Sequence, residues 1–128
     1  MTSAHLRGVT LDGPDADALA AFYVAVLGWS VVDRDPAGWV QVGGDADVHL
    51  NLQTEPGYRP PVWPEVPEQQ QKMIHLEIQV DDLPAAIERA LAAGGRLADH
   101  QPPDRDPDRI RVVLDPAGHP LCLFLAGE

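Results

Sequence analysis

The amino-acid sequence predicts an α+β domain in which one βαβββ unit is used twice. Three observations carry that prediction. Displacing the first half so that Val9 falls on Leu76 also brings Leu11 onto Ile78, Asp15 onto Asp82, Ala18 onto Ala85, Val24 onto Leu91 and Gly28 onto Gly95. Chance can align a few apolar residues, but the shared Asp and Gly punctuation marks an internal repeat. Each half opens on alternating apolar and polar residues followed by a helix-start signal, and three short strand-like segments separated by turn residues follow each helix.

In order along the chain, Leu6–Asp12 and Ile74–Val80 alternate as strands with one buried face do. Asp15 or a neighbour, and Asp82, can accept the unpaired N–H groups of a helix start, and their charge suits the positive end of the helix dipole. Pro14 and Pro84 lie in or beside those first turns, where a missing N–H costs little. Leu19, Tyr23 and Val26, with Phe22 alongside, share one face of the first helix; Leu83, Ile87, Ala90 and Leu91 share one face of the second. Gly28 and the Gly94-Gly95 pair end the helices. Strands are then expected at Ser30–Arg34, Trp39–Val42 and Val48–Gln53, and at Arg96–His100, Ile110–Leu114 and Leu121–Leu125. Asp35-Pro36-Ala37-Gly38, Gly43-Gly44-Asp45 and Asp115-Pro116-Ala117-Gly118 supply the turns. Module one therefore runs from about residue 5 to 55, a proline-rich connection from 56 to 71, and module two from about 72 to 127, all within one domain spanning 1–128. Neither half is expected to bury its helix-covered sheet face alone.

Composition narrows the function classes. At 128 residues the chain is sized for one domain. The formal net charge is −11, with one lysine, Lys72, and the arginines scattered. Such a surface repels polyanions, so nucleic acid and anionic membranes are not expected partners. Cys122 is the only cysteine, which rules out an intramolecular disulfide and a thiolate cage for zinc or an iron–sulfur cluster. The N-terminal residues contain no basic region followed by an apolar run, and nothing approaches the length of a membrane span, so a cytoplasmic protein is expected. Ser3 and Ser30 stand in no nucleophile-elbow context, which argues against a serine hydrolase.

Several motifs match one family in order. Phe22–Trp29 (FYVAVLGW) resembles the helix end of the glyoxalase/bleomycin-resistance/dioxygenase proteins, the vicinal oxygen chelate superfamily. His75–Gly95 is similar to the opening of their second module, and Asp115–Leu123 (DPAGHPLCL) to their late hairpin. Gly57–Glu65 (GYRPPVWPE) resembles a glyoxalase-like subgroup common in actinomycetes. The resemblance spans essentially the whole chain. It implies two modules side by side, their sheets forming a cupped half-barrel with helices outside and a site within. In many relatives a divalent metal sits there as a Lewis acid for vicinal oxygens, held by residues of the first and last strands of each module; others bind a drug-like molecule without metal.

Carried over position by position, that metal site is incomplete. Gly8 stands where metal-dependent relatives commonly have His, Gln53 lies at or near a ligand position, His75 is retained, and Cys122 stands where Glu is usual. His75, Gln53 and Glu77 form at best a weak donor set, so no cofactor is expected, although the resemblance leaves room for a divalent metal. Strand alternation turns His75, Glu77 and Gln79 away from Leu76, Ile78 and Val80, and His49, Asn51 and Gln53 away from Leu50 and Leu52. These polar faces are expected to line a shared cup, with His75 and Glu77 available for mild acid–base chemistry. Trp39 faces the cup or the interior. Trp63 and Tyr58 in the connection are suited to wall a ligand or to pack across a subunit contact. Cys122, in the apolar run Leu121–Phe124, reads as a small buried hydrophobe that borders the cup rather than as a nucleophile. His119 is explained by turn chemistry, and His5 and His100 have no polar cluster around them in sequence.

The expected function is the binding of a small, partly apolar molecule in the cup without a tightly held metal. The alternatives are a divalent-metal-dependent lyase or dioxygenase, and a non-catalytic assembly module with a vestigial cup. A homodimer is an expected partner arrangement.

Overall fold

Two four-stranded sheets, each formed by one repeat, make up the computed structural model, which describes residues 3–127. Module one contains β1 (Gly8–Gly13), α1 (Ala16–Leu27), β2 (Ser30–Asp35), β3 (Trp39–Gly43) and β4 (His49–Thr54). Module two contains β5 (Leu76–Val80), α2 (Leu83–Ala92), β6 (Arg96–Leu97), β7 (Ile110–Leu114) and β8 (Pro120–Leu125). The strand orders, β1-β4-β3-β2 and β5-β8-β7-β6, are the same in both modules. In each the first strand lies parallel to the last, with Gly8 opposite His49 and Leu76 opposite Leu121, and the other pairings are antiparallel. Neither sheet closes on itself, so β1 and β5 are both edge strands.

The predicted punctuation forms for the predicted reasons. The Asp15 carboxylate accepts the Asp17 and Ala18 N–H groups at 3.1 and 3.2 Å, and that of Asp82 accepts the Ala85 N–H at 3.1 Å. Gly28 ends α1 in the left-handed region (φ 71°), donating its N–H to the Val24 carbonyl at 2.9 Å. In the second repeat Gly94 takes the left-handed conformation (φ 102°). Gly95 serves a different purpose, since a Cβ there would lie 2.6 Å from the Phe22 ring and 3.0 Å from the Ala90 and Leu114 carbonyl oxygens.

Two expectations change. Leu91 is 45% exposed, because α2 docks through the narrow stripe Leu83, Ala86 and Ala90 and leaves the next position facing outward. The strand expected over Arg96–His100 is regular only at Arg96 and Leu97, with one further backbone bond from the Ala98 N–H to the Val112 carbonyl at 3.1 Å. Beyond them the Gln101 side chain takes over the ladder: its amide donates to the Ala98 and Val112 carbonyls, and its oxygen accepts the Val112 N–H at 2.8 Å.

One core joins the modules. Leu11, Val40, Val42, Leu50 and Leu52 of sheet one and Val113, Leu121 and Leu123 of sheet two belong to a single buried cluster with both helices. Helix α1 is buried around much of its circumference, through Ala16, Leu19, Ala20, Phe22, Tyr23 and Val26, because it packs on its own sheet and also against α2 and the second module. The opposite face of each sheet carries no helix; the polar half of the alternation in β1, β4 and β5 lies there, joined in module two by Ile110 and Val112 of β7 and Cys122 of β8.

Candidate functional site

The helix-free face of module two is hollowed into a cavity of about 350 Å³. Its floor is apolar: Ile110 and Val112 from β7, and Pro120, Leu121 and Cys122 from β8. His75, immediately before β5, and Glu77, in it, stand two residues apart on the outward side of the strand. The His75 Nε2 and Glu77 Oε2 atoms are 3.5 Å apart. Trp63 and Lys72 of the connection and Pro102, Asp104 and Arg105 of the loop before β7 supply the walls.

The walls are held in place. The Trp63 indole N–H donates to the His100 carbonyl at 3.0 Å, and its ring meets the His100 imidazole edge-on at 5.7 Å. Lys72 lies 5.0 Å above the Trp63 ring and pairs with Glu65 at 3.1 Å. That ammonium holds the Glu65 carboxyl below its ordinary range. Cys122 is half-buried; burial first, and the Glu77 carboxylate second, push its thiol above its ordinary value. A thiol so placed is a neutral, weakly reactive part of the floor.

Of the residues anticipated from sequence, the structure brings His75, Glu77, Cys122 and Trp63 to this one cavity. It does not bring the others there. Trp39, His49, Asn51 and Gln53 lie on the helix-free face of module one, where Trp39 pairs with Gln53 across β3 and β4 and Gln41 donates to Asn51 at 3.1 Å. His49 lines a separate groove of about 440 Å³ with Trp29, Val9, Leu76 and Ile78, at the junction of edge strands β1 and β5. Tyr58 is committed elsewhere: its hydroxyl donates to the Ala117 carbonyl at 2.9 Å and lies 3.2 Å from His119 Nε2. The cavity holding His75 is thus built by module two and two loops rather than by both polar faces together. Glu77 lines both spaces, and the larger 440 Å³ groove also holds His49 and Asp45, but the thiol and the cations reach only the smaller one.

Sequence reasoning missed Lys72, Pro102, Asp104 and Arg105, which reach the cavity on irregular segments with no periodicity to betray their direction. The proline clusters flanking them were the one available signal. It also missed the cluster beneath the late hairpin. Asp115, 2% exposed, accepts the Tyr23 hydroxyl at 2.7 Å, His119 Nδ1 at 2.8 Å and the Ala117 and His119 backbone N–H groups. Burial first and Asp115 second hold the Tyr23 phenol far above its ordinary value, and the same two causes raise that of Tyr58. This cluster fastens the connection and α1 to module two.

The donors do not fit a divalent metal of the kind the family resemblance implies. Among the described residues no three His, Cys, Asp or Glu side chains gather closely enough to hold an ion. Gln53 is on the other module, and Gly8 cannot carry a side chain without displacing the Asn51 amide, whose nitrogen lies 2.8 Å from where its Cβ would be.

Comparison with known proteins agrees with the repeat. A family model described as a glyoxalase-like domain matches residues 8–124. No curated protein matches the sequence. Among solved structures, the chain is similar to a glyoxalase-related enzyme from Fulvimarina pelagi (23% identity, 95% of this chain and 88% of that one, TM-score 0.69). It is also similar to an antibiotic-binding protein from a Streptomyces species (22%, 99% of each chain, 0.63). A third is a lactoylglutathione lyase from Agrobacterium tumefaciens (22%, 98% and 95%, 0.60). At these identities the structures share a fold.

Proposed function

Because this chain belongs to the family of glyoxalase-like domains, we propose that it binds a small, partly apolar molecule in the module-two cavity, without a tightly held metal. The observation that carries this reading is the cavity itself: an apolar floor beside a contacting imidazole–carboxylate pair, walled on one side by an indole. Its volume falls at the lower end of the roughly 300–1,000 Å³ usual for small-molecule sites. His75 and Glu77 add mild acid–base chemistry, since the imidazole can pass a proton to or from a bound molecule while the carboxylate orients the ring. A related fold in an antibiotic-binding protein supports sequestration as the simplest use of such a cavity. The space left open on the sheet weighs against a vestigial cup, and the sparse donors weigh against a metal-dependent lyase or dioxygenase.

The reading includes a cytoplasmic setting, in keeping with a single free cysteine and with no described helix long and apolar enough to cross a membrane. It also includes a homodimer. Edge strands β1 and β5 are flanked by exposed Leu6, Met73 and Ile74, a combination that a second copy would cover.

The neutral probe 3-phenylpropanamide, followed by tryptophan fluorescence, tests the binding site. Protein treated with chelator is expected to bind it as well as untreated protein does, and Cys122→Phe, which fills the floor, is expected to lose the binding while keeping its circular dichroism. Binding that survives Cys122→Phe would place the site elsewhere, and stoichiometric metal in protein purified without chelator would overturn the metal-free reading.

A further inference from the structure

We infer that the module-two cavity takes a ligand with a single negative charge, a monocarboxylate on an apolar or aromatic body, and that Arg105 grips its carboxylate. This deepens the binding reading above and rests on it. The chain is strongly acidic, yet its only lysine and one of its arginines meet at the wall of this one cavity. The two cations differ in availability. Lys72 is occupied by Glu65 and by the Trp63 face. Arg105 forms no ion pair among the described residues, although Asp104 is its neighbour in sequence and lines the same space. An unpaired guanidinium beside an apolar floor is suited to a carboxylate, which it can meet through two parallel N–H donors.

The loop that carries it is stiffened by Pro102, Pro103 and Pro107, so little freedom is lost when a ligand is held. Both cations reach the cavity floor electrostatically, since Arg105 and Lys72 each favour the charged form of the Cys122 thiol while Glu77 opposes it. Glu77 and Asp104 set the limit on ligand charge. A doubly charged phosphate would face two carboxylates across a small space, whereas one carboxylate can lie against Arg105 with its apolar body over Ile110 and Val112.

Three probes of one shape separate the outcomes: 3-phenylpropionate, its amide, and 3-phenylpropylammonium, titrated into the full chain at pH 7 and low salt. The carboxylate is expected to bind roughly fivefold or more tightly than the amide, a modest factor because Arg105 is exposed to water. The ammonium should bind most weakly. Arg105→Gln should erase the carboxylate preference, so that carboxylate and amide bind alike. Asp104→Asn should widen the preference, and added salt should narrow it. Equal binding of amide and carboxylate, or a preference that survives Arg105→Gln, overturns the charge inference while leaving the binding reading intact. If no probe binds, the binding reading fails and this inference fails with it.

Discussion

Among the described residues Asp115 is the one acidic side chain buried in the core, and four donors converge on it. A carboxylate cut off from water is tolerated only when its lone pairs are occupied, so each donor matters more than a surface hydrogen bond would. Tyr23→Phe removes the phenolic donor and should cost about 1–3 kcal/mol in urea unfolding. The same cluster governs alkaline behaviour. Tyr23 and Tyr58 are the chain's only tyrosines, and both phenols are raised above the ordinary 10.0. Below that value each is protonated whether folded or unfolded, so neither makes stability depend on pH. Above it the unfolded chain loses these protons first, and stability should fall as pH rises. Tyrosinate absorbance should therefore be nearly absent from native protein at about pH 10.5 and emerge together with unfolding. Ordinary titration of either tyrosine in native protein would contradict this.

At the level of elements, similar punctuation is used with unequal weight. Asp15 satisfies two N–H groups of α1, a helix buried around much of its surface, whereas Asp82 satisfies one in α2. Either Asp→Ala change should destabilise by about 1 kcal/mol, with Asp15→Ala the larger of the two in thermal melts. The shortened strand β6 makes a sharper case. Gln101 replaces a stretch of backbone ladder with its side-chain amide, leaving the following prolines free of any pairing duty. Gln101→Ala would leave the Val112 N–H in the buried middle of β7 without its partner and should cost about 1–3 kcal/mol. It should also loosen the loop bearing Arg105, seen as faster amide exchange at Val112. If stability and exchange stay unchanged, this view of Gln101 is wrong.

On the scale of the whole molecule, the modules look alike but share their interior. Phe22 packs against Gly95, Tyr23 bonds Asp115, and both sheets feed one buried cluster. We expect one cooperative transition, with circular dichroism and tryptophan fluorescence coinciding in denaturant, and no fold in a peptide covering residues 3–55 alone. Two resolved transitions would mean that the shared cluster does not couple the halves.

The sequence by itself determined the repeat, both helices with their Asp starts, the order of strands and the outward turn of His75 and Glu77. Those features follow from periodicity and capping, which act over a few neighbouring residues and are written in their spacing. Only the tertiary structure decided which polar residues meet. Periodicity assigned His49, Asn51 and Gln53 to a helix-free face but could not say that none of them lines the cavity of His75, nor that Tyr58 is spent on the Ala117 turn. It could not place Arg105 over the cavity either, because irregular loops have no repeating direction to read. A side chain's face is set by its neighbours in sequence, whereas the company it keeps is set by how two sheets and two loops pack around a common core.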